Sequence, residues 1–329
     1  MSEPPTDKRR SRRPLYAVTA ALLAVVLAGG AWFLLGRERP ADCDALVKDD
    51  RVESALGSHH STNMSCADLG TAMRVTTGGT APHTRARAES MRKILLAVND
   101  TLTEDDRPLA AEIRLPLAES LAGYANDTQE ILEGTDSDYV RKVFPDSPAW
   151  EDETGYHFSV SQNDLVRVLR AVSEEPAAYA ALRDAQTQWA ATQLGQLTGK
   201  VSDSALTAPV VNASALAGYD AVAADVVRDK GASASAQWED AVYAALRRPG
   251  AAVPRSALSD RIAEEWRASL ASVPAEKRTD HLREQSTFMF TTWAGAVGMD
   301  RGRAKPVEEH CRRTGQDRYQ WFAYRLQEL

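Results

Sequence analysis

Basic charge is what the body of this chain lacks. The 329 residues hold 39 Lys+Arg and 46 Asp+Glu, of which 7 and 3 fall within the first 40 residues. The remainder therefore carries 32 basic and 43 acidic side chains, a net of about −11 with histidine neutral. Nucleic acid demands clustered Lys and Arg, so that class of partner is excluded. Anionic headgroups and anionic wall polymers would repel such a body outside any local basic patch. Metal-binding spacing is missing as well. The 6 histidines include the adjacent pair His59-His60, with His83 and His310 elsewhere, in no H-x-x-x-H arrangement, and the 3 cysteines form no C-x-x-C. No metal or other cofactor is expected. The Gly78-Gly79 turn lacks the Gly-Lys-Ser/Thr ending of a phosphate cradle. Strand-like alternation is almost absent, and no repeat of fixed period is present.

Long hydrophobic runs are also scarce, with one exception. Leu15 to Leu35 contains no ionisable group other than Tyr16 and directly follows Lys8, Arg9, Arg10, Arg12 and Arg13. At about 1.5 Å per residue, a helix of this length covers the ~30 Å hydrocarbon layer. Backbone amides in lipid must pair internally, so helix is the state available to one isolated span. Ser11-Arg12-Arg13-Pro14-Leu15 resembles a twin-arginine export signal, but the apolar core is too long for a signal. Cutting at Ala28-Gly29-Gly30-Ala31 would leave Trp32, Phe33, Leu34 and Leu35 on the mature chain. An uncleaved anchor is expected. The basic cluster outweighs Arg37 and Arg39 beyond the span, which puts the N-terminus in the cytoplasm and the bulk outside it. Abundant alanine and a surplus of arginine over lysine fit a GC-rich bacterial genome.

The organisation expected is a basic cytoplasmic tail (1–14), a transmembrane helix (15–35), a helical extracytoplasmic domain or subdomain (36–200) and a second helical subdomain (209–329). The fold class is all-α, because apolar residues past residue 41 recur at helical spacing. Asp42 should cap a helix carrying Leu46, Val47 and Leu56, and Ser65 should precede another. Met91, Ile94, Leu95, Val98 and Leu102 form one stripe, and Leu109 to Ile131 continues the pattern until Pro116 kinks or splits it. Residues 134–160 are the least helical, with Tyr156 to Val160 suited to an extended loop or small hairpin. Ser161 with Asp164 makes a capping box, Pro176 suits a first turn, and Asn212 suits a cap. The uncharged stretch from Ser286 to Met299 is too short to span a bilayer and suits a buried helix. Trp321, Phe322 and Tyr324 should pack back on the body.

Cys43, Cys66 and Cys311 would lie in an oxidising compartment, and sequence proximity favours a Cys43–Cys66 disulfide. Ser90-Met91-Arg92-Lys93 matches the S-x-x-K pattern of penicillin-recognising enzymes, and Ser161-Gln162-Asn163 could supply an S-x-N element. The Lys-Thr-Gly element is missing, as is the sheet that would hold it. Glu151-Asp152-Glu153 could serve glycan hydrolysis but fits a solvated acidic face. Trp189, Trp238, Trp266 and Trp293 fall on apolar helix stripes, as core residues do. The expected function is therefore an envelope adaptor or assembly component that works through protein–protein contacts with an envelope partner. The alternative is a membrane-tethered cell-wall hydrolase or transferase using Ser90 or dispersed carboxylates. A third class, a small-ligand sensor, would show a closed apolar pocket between helices, although the short N-terminal tail leaves no room for a signalling domain.

Overall fold

Polar side chains set where the helices begin. The computed structural model describes residues 43–104, 108–197, 202, 206–248 and 256–329, so the basic tail, the Leu15–Leu35 span and the Asp42 cap lie outside the described residues. Helix α1 (Asp44–Val47) is followed by α2 (Asp50–Leu56), whose cap Asp49 accepts from the Arg51 N–H. The single helix expected to run to Leu56 is thus two, because an aspartate whose carboxylate takes a free N–H favours a new start over continuation. Ser65 caps α3 (Cys66–Thr77) by accepting from the Asp68 N–H. Next come α4 (Arg85–Glu104), α5 (Ala111–Ala122), α6 (Ala125–Glu133) and the short α7 (Ser137–Arg141).

Residues 150–157 form a hairpin of β1 (Trp150–Asp152) and β2 (Gly155–His157), in which Trp150 pairs with His157. Ser161 then caps α8 (Gln162–Val172) by accepting from Asp164, and Pro176 opens α9 (Pro176–Gln196). The rest is helical: α10 (Thr207–Arg228), α11 (Ala232–Leu246), α12 (Ala257–Ser269), α13 (Arg278–Arg283), α14 (Gln285–Ala296) and α15 (Arg301–Glu328). The all-α expectation holds among the described residues, with one two-stranded hairpin as its exception.

Pro116 does not split its helix. It lies inside α5, and the break comes at Gly123 and Tyr124 instead. Proline removes one N–H, which frees the carbonyl of Glu112 one turn back. Gly70 of α3 comes so close to that turn that an added Cβ would stand 2.7 Å from the Glu112 oxygen and 3.2 Å from Pro116 Cγ. Tight packing of α3 on α5 holds the helix through the proline. Asn212 is likewise not a cap. Helix α10 starts at Thr207, with Pro209 in the first turn where no N–H is required, and Asn212 lies further along the helix, 2% exposed. Periodicity could not locate this start because small residues fill the turns on both sides of it.

Helix α10 is long and apolar enough to cross a membrane by length and composition, yet two thirds of its most apolar stretch is buried inside the protein. It packs against α6, α8, α9, α14 and α15. Being apolar on nearly every side is what a central helix requires. Its Gly218 lets the Phe322 ring of α15 approach to 3.2 Å of where a Cβ would stand. Phe322 is buried, whereas Tyr324 on the same helix is 59% exposed, so only part of the terminal aromatic cluster packs back. Helix α9, ahead of the expected boundary at 200–209, packs on α11 and α12 beyond it, and residues 42–329 cluster as one unit.

Cys43 and Cys66 form a disulfide across a sequence separation of 23, tying the start of α1 to that of α3, while Cys311 is free and buried. Closing a loop of this length in the unfolded chain stabilises the fold by about 3 kcal/mol. Cys66→Ser should lower the unfolding free energy by that amount in denaturant titrations, and reductant should then have no further effect.

Candidate functional site

The residues picked out by sequence do not assemble into a catalytic group. Ser90 on α4 is buried, and its hydroxyl donates to the Ala55 carbonyl at 3.0 Å. Lys93, one turn on, donates to Ser54 Oγ at 2.8 Å, so the lysine engages a different serine. Ser161 is a helix cap, and Asn163 accepts from Arg325 at 3.1 Å. His60 Nε2 meets the Val47 carbonyl at 2.8 Å. His83 Nε2 meets the Gly123 carbonyl at 2.8 Å while its ring stacks 3.7 Å from that of Tyr124. Among the described residues, no group of three or more His, Cys, Asp or Glu is placed to hold a metal ion. Trp238, Trp266 and Trp293 are core residues, whereas Trp189 is only half-buried.

Two assemblies escaped the sequence. The first is a charged cluster around His157. Asp127 of α6, 2% exposed, holds His157 Nδ1 at 2.6 Å, and Asp152 of β1 holds Nε2 at 2.8 Å. Tyr139 of α7 donates its hydroxyl to Asp127 at 2.6 Å, and Thr154 donates its N–H to Asp152 at 2.7 Å. Burial disfavours the imidazolium, but hydrogen bonds and charge from Asp127 and then Asp152 outweigh it, and the pKa rises to about 9. Both ring nitrogens are committed, so neither is free to take a substrate proton. The cluster clamps the hairpin onto α6 and α7. Positions 127, 139, 152 and 157 share no motif spacing, which is why only the folded chain reveals them.

The second assembly is a cleft of about 290 Å³ between α9, α10, α11 and α13. Val227, Trp238, Val242 and Leu282 wall it, and Arg228, Arg278 and Arg283 stand with Glu239 among its polar lining. Beneath lies Arg183 of α9, 1% exposed, which donates to Asp220 at 2.6 Å, to the Tyr179 hydroxyl at 2.8 Å and to the Leu282 carbonyl at 2.7 Å. Its Nε donates to Gln285 at 3.1 Å. Desolvation would favour a neutral guanidine, but Asp220 overrides it and the pKa is raised. Trp238 donates its indole N–H to the Ser173 carbonyl at 3.0 Å, which fixes the ring in the wall. Among the described residues the lining holds no serine, cysteine or histidine, and its hydroxyls are those of Thr279, Tyr179 and Tyr243. The signal in the sequence was the Trp238, Val242 and Leu246 stripe, which is equally the pattern of a plain core helix.

Comparison with known protein families, curated proteins and solved structures finds no match for this chain.

Proposed function

We propose that this chain is a single-pass envelope protein, N-terminus in the cytoplasm, whose helical body works by contact with an envelope protein partner as an adaptor or assembly component. The observation that carries the reading is Phe144, an aromatic left 68% exposed on a loop that is held firmly from below. Arg92 of α4 is 3% exposed, and its guanidinium donates to the carbonyls of Lys142 (2.7 Å), Phe144, Pro145 (3.4 Å) and Ser159. Burying a guanidinium is unfavourable unless its donors are satisfied, and desolvation holds the Arg92 pKa below its ordinary value. Four carbonyls meet that need, and in return the loop is ordered before any partner arrives. Val140, 51% exposed, adds apolar surface on the preceding helix. An ordered aromatic anchor binds with little further loss of conformational freedom, which is how interface hot spots work.

The reading as a cell-wall hydrolase or transferase has less support, since Ser90 and Lys93 engage separate partners and the Asp127 and Asp152 carboxylates are committed to His157. Cross-linking in intact cells, followed by purification of the full chain from detergent-solubilised membranes, tests the proposal. Phe144→Ala should reduce recovery of the cross-linked partner at least tenfold, equivalent to about 1.4 kcal/mol. It should leave the melting temperature unchanged, because the ring is already in water. Undiminished recovery would remove the loop from the interface. Protease added to spheroplasts should digest the C-terminal portion, and its survival would overturn the topology.

A further inference from the structure

We propose that the cleft between α9, α10, α11 and α13 binds a single-chain amphiphile with an anionic head, a carboxylate or a phosphate. Size sets the tail. An apolar protein cavity of about 150 Å³ accommodates benzene, and this cleft, at about 290 Å³, is nearly twice as large. A tail on the order of ten carbons, or a two-ring body, matches that space better than a peptide helix, which would need a long groove.

Charge sets the head. Arg228, Arg278 and Arg283 face the cleft against Glu239, while the second acidic group, Asp220, is already paired with buried Arg183. Three guanidiniums around one apolar mouth run against the acidic balance of the body. Their internal partners leave donors over, because each guanidinium has five N–H groups. The Arg278–Asp240 pair has a 68% exposed carboxylate, and Arg283 donates to the Tyr319 hydroxyl at 3.0 Å but meets its carboxylate partner Asp280 only at 3.9 Å. Arg228 pairs with Asp225, which also serves Arg170.

Two buried polar atoms on neighbouring lining residues point to a ligand oxygen. Among the described residues, the hydroxyl of Tyr243, itself 3% exposed, has no hydrogen-bond partner, nor does the buried Nε of Arg278. The Arg278 guanidinium lies over the Tyr243 ring, 4.7 Å from its centre, and both residues line the cleft. Leaving such groups unpaired in the interior is unfavourable, and an anionic oxygen would satisfy both.

Equilibrium dialysis of the full chain in phosphatidylcholine nanodiscs, with empty nanodiscs subtracted, tests this with four ten-carbon probes: decanoate, decyl phosphate, decanol and decyltrimethylammonium. Saturable binding of decanoate or decyl phosphate is expected, with decanol at least about tenfold weaker and the cation without saturable uptake. The stronger of the two anions identifies a free carboxylate or a phosphate as the head. Ala224→Phe, which fills the cleft, should abolish binding, and Arg278→Gln should weaken it about tenfold. Equal uptake of all four probes, full binding by either variant, or no saturable uptake of either anion would overturn the proposal. If Ala224→Phe does not fold, the comparison of head groups on the unaltered chain decides alone. Phe144→Ala should leave this binding untouched, which separates failure here from failure of the partner-contact reading.

Discussion

Arg183→Met should destabilise the protein by about 3–5 kcal/mol, the largest effect expected of any single substitution in this fold. The methionine fills similar space, so the loss is electrostatic. It strands the 9% exposed Asp220 carboxylate without its counter-charge, and it removes donors from Tyr179, Gln285 and the Leu282 carbonyl. Those partners come from α9, α10, α13 and α14, so a single side chain ties three of the four helices around the cleft to one another and to α14. Denaturant unfolding of the variant should show the loss as a lower midpoint with the slope retained. Adding Asp220→Leu should restore much of the stability, because a buried pair replaced on both sides is often near neutral. If the double variant is as unstable as the single, hydrogen bonds rather than the stranded charge account for the effect.

The second large effect is a loss of stability on the alkaline side. The His157 pKa is raised from its ordinary 6.5 to about 9 in the folded chain. Stability from this group is therefore complete below pH 6.5 and disappears as the pH climbs through about 9. The full contribution is on the order of 3 kcal/mol, of which about 2 kcal/mol remains to be lost above roughly pH 7.5. Glu130 lies nearby, pushed up to about 7 by burial and then by Asp136, Glu133 and Asp127. As a carboxyl with a raised pKa it lowers stability as it ionises, but most of that change is over before the upper part of the window. His83 titrates in the other direction. Burial lowers its pKa, so its charging reduces stability only below the ordinary histidine range. Burial pushes the Cys311 thiol up to about 12 and raises the buried tyrosines as well, so these groups begin to lower stability from about pH 9, and unfolding free energies measured from about pH 7.5 to 8.5 report chiefly on His157. Asp127→Asn should cost about 3 kcal/mol at neutral pH and flatten the alkaline slope. An unchanged slope in that variant would mean that Asp152 alone maintains the shift.

Helices were legible wherever apolar spacing and a polar cap agreed. Ser65, Ser161 and Pro176 mark starts that the fold uses as expected. Packing overrides the local signal at two positions. Pro116 announces a break, but the close approach of Gly70 keeps its helix together, and the chain turns at Gly123 instead. Asn212 has the chemistry of a cap and is buried inside a helix, with no hydrogen bond to either amide atom among the described residues. Proximity in sequence favours the Cys43–Cys66 bond, and the fold has it.

What this sequence determines alone is local: helical periodicity and its caps, the acidic balance beyond residue 40, and one run of lipid-compatible length at Leu15–Leu35. These depend on neighbours within a few turns of chain, so spacing and composition are enough to read them. The folded chain alone decides that Arg92 supports a loop 52 residues away, that Asp127 meets His157 and that Arg183 reaches Gln285 across 102 residues. Such contacts form between elements whose order in sequence carries no record of their order in space. A charge becomes strongly coupled only after packing has removed the water around it.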